Sequence, residues 1–323
     1  MAAGVAISVA LFAYLLWKVD LHELAEQLRH THWGWMALAV ACAPAGLWVR
    51  AKRWRYLFPP RSEPPGLVPA IMIGYMGNNV LPLRAGEIVR VYVVARRWGH
   101  FWTVLATLVV ERVLDSLALV LIMATLVFVI PVPHALEWAA AVLLAIDVVG
   151  VTVLTAVAVA PDRMRRVIER TMGRWPTLQR RVVGGFETFV RGLEGIRTPS
   201  HLPPLLAWTV LVWLLPALSA WSCLRATNLH LPWVAGWAVL VFVGLGISIP
   251  SAPGYVGVFH YAATLATGIF GVPPAAAVGF ALLYHASQFV PITLVGWLFL
   301  VHEEMTLGEA TRGRPVESES AGG

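Results

Sequence analysis

Charge is scarce in this chain. Only 13% of its residues are Asp, Glu, Lys or Arg and 58% are hydrophobic, whereas soluble domains carry charge on about 25% of positions. That balance excludes an ordinary soluble fold and leaves a polytopic membrane protein. Cysteine is nearly absent too. Cys42 and Cys223 both fall inside apolar segments, which excludes a disulfide framework or a thiolate metal site. Of 24 basic residues only Lys18 and Lys52 are lysine, an Arg bias that fits a GC-rich bacterial coding sequence. Catalytic signatures are missing as well. There is no phosphate-binding Gly-x-x-x-x-Gly-Lys loop, no dinucleotide fingerprint, no His-Glu-x-x-His and no Gly-x-Ser-x-Gly. The longest polar segment, 161–201, is too short for a globular catalytic domain. His22, His30 and His32 have no helical spacing that converges on a metal, so they read as interfacial residues. Neither a metal, nor a cofactor, nor a nucleic-acid partner is expected.

What the chain has in abundance is long apolar runs. A bilayer core about 30 Å thick takes ~20 apolar residues in a helix. The runs 2–17, 33–49, 102–130, 138–160, 203–224, 233–249 and 274–301 qualify, with 255–272 weaker. The fold expected is all-α, a polytopic membrane bundle of about eight helices. Run 2–17 has neither a basic start nor a small-residue cleavage site, so it reads as a retained helix anchored by Trp17 and Lys18. Trp33, Trp102, Trp138 and Trp233 stand at the edges of other runs, where interfacial indoles sit. Residues 1–302 form one membrane domain in this reading. The tail 303–323, rich in Glu, Ser and Gly, reads as disordered.

Loop charge orients the chain. Segments 50–61, 84–97, 161–201 and the tail carry five, four, nine and two basic residues, twenty in all. The intervening loops hold three: Lys18, Arg29 and Arg225. By the positive-inside rule both termini are expected in the cytosol. The segment 66–83 then lies between two cytosolic loops and cannot be a single crossing. It is expected to enter and return as a re-entrant hairpin, turning within Gly77-Asn78-Asn79-Val80-Leu81-Pro82-Leu83-Arg84-Ala85-Gly86-Glu87. Interrupted polar backbone at membrane depth survives only inside protein or beside a cavity, so this turn is a candidate site.

A second interrupted region spans Gly244 to Gly257 and includes Ser248, Pro250, Pro253 and Gly254. It repeats the Pro-x-x-x-Gly of Pro82 and Gly86 at Pro250 and Gly254, and by charge count it enters from the opposite side. Two such segments suggest an inverted repeat with a substrate site between the halves. The 161–202 segment alternates Arg with Met164, Val167, Ile168, Phe186, Phe189, Val190 and Leu193. It reads either as amphipathic helices on the inner leaflet, drawn to anionic headgroups, or as a solvated basic loop.

Three acids and three bases complete the pattern. Arg84, Glu87 and Arg90 follow the first turn at i, i+3, i+6, and Glu111, Arg112 and Asp115 lie in the next apolar run. An unpaired ion at membrane depth costs ~2.5–3.5 kcal/mol even on a lenient scale, so the two groups are expected to pair. The expected pairing has Arg84 or Arg90 bridging Glu111 and Asp115, with Glu87 on Arg112. Such a network either locks the hairpin or receives a substrate phosphate, whose geometry suits the guanidinium fork. Tyr284, His285 and Gln288 in the last run, and His260 after the second turn, are further candidates, although each type more often makes a helix–helix hydrogen bond. Asp147 stands isolated among apolar residues, with no partner evident.

The combination Gly77-Asn78-Asn79-x-Leu81-Pro82-x-Arg84-x-Gly86-Glu87-x-x-Arg90 with Glu111-Arg112-x-x-Asp115 resembles the transmembrane, flippase-like part of lysylphosphatidylglycerol synthases. So does Pro250-x-x-Pro253-Gly254-x-x-Gly257-x-x-His260, with Tyr255 where the family often has Gly and His260 where it often has an acid. The resemblance implies an inner-membrane protein, without the synthase domain, that binds and translocates a polar-headgroup lipid: a phospholipid, an aminoacyl-phosphatidylglycerol or a polyprenyl phosphate. Its site would include Asn78, Asn79, Pro82, Gly86 and the charged residues above. Two other functions compete: a membrane-embedded glycosyl or headgroup transferase, and a scaffold for a lipid-modifying enzyme. An oligomer is compatible with any of them.

Overall fold

The computed structural model describes residues 29–303 apart from 63, 132–133 and 249–251. The expected helix 2–17, Pro250 and the tail beyond 303 lie outside the described residues. Within them the chain is helical, with no strand.

The first complete helix among the described residues, α1 (Trp33–Arg55), runs past the expected end at 49, because Arg50, Lys52, Arg53 and Arg55 are good helix formers. Helix α2 (Leu67–Val80) starts after Gly66 in a left-handed conformation and stops at Leu81, which Pro82 forces into an extended backbone. A single 3-10 turn, Pro82–Arg84, leads into α3 (Gly86–Trp98), which Gly99 terminates with a positive φ. Then comes α4 (Phe101–Val127), which carries Glu111, Arg112 and Asp115 at its middle. With 14 and 13 residues, α2 and α3 reach only about 20 Å, short of a bilayer core, so they form the expected hairpin.

The connector holds α5 (His134–Val159), then α6 (Pro161–Thr171), α7 (Pro176–Gly192) and α8 (Glu194–Arg197). Segment 161–202 is thus helical, as its periodicity predicts, and part of its apolar face turns inward while Val167 and Leu178 stay exposed. Phe186, Phe189, Val190 and Leu193 pack into the core, with α7 against α4.

The second half repeats the first. It consists of α9 (Leu202–Ala226), α10 (Trp233–Ser248), the turn Pro253–Tyr255, α11 (Val258–Gly268) and α12 (Pro274–His302). Each half therefore reads long helix, short helix, three-residue turn, short helix, long helix. The expected span 255–272 yields a helix of only 11 residues, about 17 Å long, which turns back on α10 rather than crossing. Packing between the halves is reciprocal: α1 lies on α9, α2 on α12, α4 on α10, and the two turns touch. Such an exchange is what a twofold axis between repeats requires. Each half keeps its own apolar core, with Leu205 and Leu300 lent to the first and Met36 and Ala39 to the second. The helices α1, α5, α9 and α12 are long and apolar enough to cross a membrane.

Candidate functional site

The site grows from the two turns. In the first, Leu83 and Arg84 hold φ near +56° and +55°, and in the second Tyr255 holds +58°. A left-handed backbone costs a non-glycine residue ~1–2 kcal/mol, and such strain concentrates at functional positions. Arg84 and Tyr255, one from each turn, both line one cavity. The α2–α3 hairpin beneath is closed by glycine. A Cβ on Gly86 would overlap the Gly74 carbonyl oxygen, and one on Gly77 would stand 2.9 Å from Gly86 Cα.

Beside the turns lies a buried ionic cluster. Glu111 is fully buried and receives Arg50 (3.0 Å), Arg53 (3.3 Å), Arg90 (3.0 Å) and Arg112 (3.0 Å). Asp115 is held by Arg50, Arg53 (2.7 Å) and Arg112 (3.1 Å), and Glu87 by Arg90 (2.9 Å) and Arg112 (3.5 Å). Arg90 and Arg50 also stack on Trp54 and Tyr75 at 5.1 Å and 5.6 Å. Of the expected pairing, Arg90 with Glu111 and Glu87 with Arg112 are present, but Arg90 does not bridge to Asp115, which Arg50, Arg53 and Arg112 hold instead. Arg84 bridges neither Glu111 nor Asp115, because α3 begins at Gly86 and the residue sits in the turn, off the helical stripe. Arg50 and Arg53 take its place. These two escaped the sequence reading because they count as loop charge when the first helix is ended at 49. Their i, i+3 spacing on a continuing helix was the available signal.

The cluster is consequently not neutral. Four guanidiniums (Arg50, Arg53, Arg90, Arg112) face three carboxylates (Glu87, Glu111, Asp115), a surplus of one positive charge, and Arg84 across the cavity makes it two.

The cavity measures about 390 Å³. Arg50, Arg84, Arg112, Asp115, Asn78 and Asn79 supply its charged and amide wall. Along α1 and α4 the lining changes from Arg50 and Arg112 to Cys42 and Leu119, roughly two turns away. Leu143, Val212 and Trp213 extend the apolar part. Of the predicted residues, Ser248, Tyr284, His285 and Gln288 also line it. Gln288 donates to Ser219 Oγ (2.8 Å), and the His285 Nε2–H donates to the Gly254 carbonyl (2.8 Å). Asn79 donates to Thr293 Oγ1 (2.9 Å), tying the first turn to α12, while Asn78 donates to Glu87 (3.3 Å). Pro82, Gly86, Pro253, Gly254 and Gly257 shape the turns without lining the cavity. Glu87, Arg90 and Glu111 lie behind its wall. His260 is buried and accepts the Gly257 N–H (3.2 Å) as a cap of α11. Besides Arg50, the polar cavity residues Tyr75, Ser116 and Tyr255 were not among the predicted site residues. Tyr75 and Ser116 lie in helices α2 and α4 with no charged or amide pattern to single them out, and Tyr255 stands out only as a position where the family often has Gly.

Fold and site together define a multi-pass membrane protein with two re-entrant hairpins around a cationic cavity. Residues 1–296 match the family described as the lysylphosphatidylglycerol synthase TM region, and the chain belongs to it. Glycosyltransferase AglD of Haloferax volcanii is 26% identical over 331 aligned positions, which cover 92% of this chain and 53% of that protein. The chain thus spans about half the length of this curated relative. No solved structure matches it.

Proposed function

We propose that this protein binds a lipid with an anionic headgroup in the cavity and moves it between the leaflets of the bacterial inner membrane, as a flippase or scramblase. The surplus of guanidinium over carboxylate on the cavity wall carries this reading. An unbalanced positive site in a low-dielectric setting is costly when empty, and a phosphate neutralises it while matching the guanidinium fork. The cavity lies near the small end of the ~300–1,000 Å³ range of ligand pockets. A headgroup and the first carbons of its chains fit there, with the remaining chains in the bilayer. The apolar wall suits those carbons. Reciprocal halves meeting at strained turns supply two hairpins that can open toward opposite sides in alternation. Both termini would face the cytosol, with the basic 161–202 segment at the inner leaflet. Headgroup chemistry admits phospholipids, aminoacyl-phosphatidylglycerols and polyprenyl phosphates.

The test is reconstitution in liposomes with fluorescent phosphatidylglycerol and with a labelled polyprenyl phosphate. Faster leaflet exchange of at least one, lost in Arg84→Gln, is expected. Folded protein that accelerates neither would overturn transport.

The similarity to a protein named a glycosyltransferase favours a second reading, a membrane-embedded transferase. Against it, Glu87, Glu111 and Asp115 each face at least two guanidiniums, which leaves them poor bases. Metal-dependent sugar transfer to polyprenyl phosphate by the purified protein would establish it. A scaffold for a lipid-modifying enzyme would instead depend on the arginines of 161–202 while leaving lipid exchange unchanged.

A further inference from the structure

Helix α5 is the least covered of the long apolar helices. Ile146, Val148 and Val149 are 60%, 57% and 63% exposed, yet Asp147 between them is only 3% exposed. It lies at the middle of a 26-residue helix, about 20 Å from either end, and so at the centre of a bilayer core about 30 Å thick. The helix that covers it is α4. Ser116 of α4 stands beside the carboxyl, and Oδ2 is buried with no hydrogen-bond partner.

The surroundings offer no countercharge. On α4 the ionisable groups are Glu111, Arg112 and Asp115, all engaged with one another and with Arg50, Arg53 and Arg90. Helix α6 meets α5 at its far end, and its first charges, Asp162 and Arg163, lie about 22 Å along the chain axis. Leu143, one turn before Asp147, joins the same apolar cluster as Trp213 of α9 and Trp237 of α10, neither of which is ionisable. Among the described residues no ion pair involves Asp147. A lone carboxylate at this depth costs at least ~2.5–3.5 kcal/mol, a cost that a bound proton removes.

Ser116 and Leu143 both line the cavity. The carboxyl therefore stands behind the wall, beside the residue that follows Asp115. We propose that Asp147 is a proton-binding site linked to the cavity through Ser116, so that lipid movement is proton-dependent. When water fills the cavity and reaches past Ser116, the carboxyl proton passes to that water, and the carboxylate left behind takes the Ser116 O–H as donor. Return of the proton reseals the seam between α4 and α5. The linkage to movement rests on the transport reading above; the proton site does not.

Two measurements on the full chain in lipid separate them. Infrared difference spectra should show the C=O stretch of a protonated acid near neutral pH, absent in Asp147→Asn and shifted in Ser116→Ala. Identical carboxyl bands in the wild type and Asp147→Asn would overturn the proton site. In liposomes, exchange of fluorescent phosphatidylglycerol should change several-fold between acidic and alkaline buffer, and be flat with pH in Asp147→Asn, a near-isosteric neutral variant. A pH-independent wild-type rate would overturn the linkage. No exchange in any sample would count against the transport reading, and the infrared band would still decide the proton site.

Discussion

Arg53 and Arg84 have the same side chain and different work to do. Arg53 is fully buried and holds both Glu111 and Asp115. Arg53→Ala leaves those acids short of a partner inside the bundle, and removing one member of a buried pair costs about 3–5 kcal/mol. Denaturant unfolding in detergent is expected to show a loss of that size. Arg84 sits on strained backbone at the cavity, outside the ionic cluster. Arg84→Gln keeps the backbone geometry and removes only the cation, so stability is expected to change by less than about 1 kcal/mol. Lipid binding, read by native mass spectrometry of copurified phospholipid, is expected to fall about tenfold, as loss of one charge-assisted contact predicts. The acid–base stripe of the sequence identified Glu87, Arg90, Glu111, Arg112 and Asp115 correctly as one group. It missed Arg50 and Arg53, because the end of an apolar run is not the end of a helix. Only their approach from α1 reveals the charge surplus.

At the scale of elements, the α2–α3 hairpin depends on backbone contact. Gly86→Ala would force the Gly74 carbonyl aside, with no flexible side chain to yield. Overpacking of this kind is expected to cost about 3 kcal/mol or more and to show as loss of a monodisperse peak in size-exclusion chromatography. Gly184 provides the contrast. It lies inside α7 with open space around it, so Gly184→Ala is expected to gain up to about 1 kcal/mol in thermal unfolding. The hairpin itself was legible, because basic segments on both sides of 66–83 forbid a single crossing. That α11 is also half of a hairpin was not, since run 255–272 is long enough to cross. The tertiary structure shortens it by packing it back onto α10. Likewise, the apolar stripe of α7 was visible, but what covers it, α4 rather than lipid, was not.

For the whole molecule, reciprocal packing of the halves predicts opposite insertion of the two hairpins. His100 follows the first and His230 precedes the second; both are exposed. With Cys42 and Cys223 buried, single cysteines at these positions report sidedness cleanly. An impermeant maleimide applied to intact cells is expected to label His230→Cys and not His100→Cys, and inverted vesicles should reverse the pattern. Labelling of both from one side would sink the inverted arrangement.

The sequence by itself determined the solvent, the helical class, the two interrupted turns and most of the charged residues. Hydrophobic length, proline, glycine and loop charge act locally or against the bilayer, and leave their mark along the chain. Only the tertiary structure decided which cation meets which acid, that the two turns touch, and that the cluster has more positive charge than negative. Those outcomes depend on distances between residues as far apart in sequence as Arg50 and Asp115, or Asn79 and Thr293. Helix packing sets such distances, and no spacing along the chain encodes them.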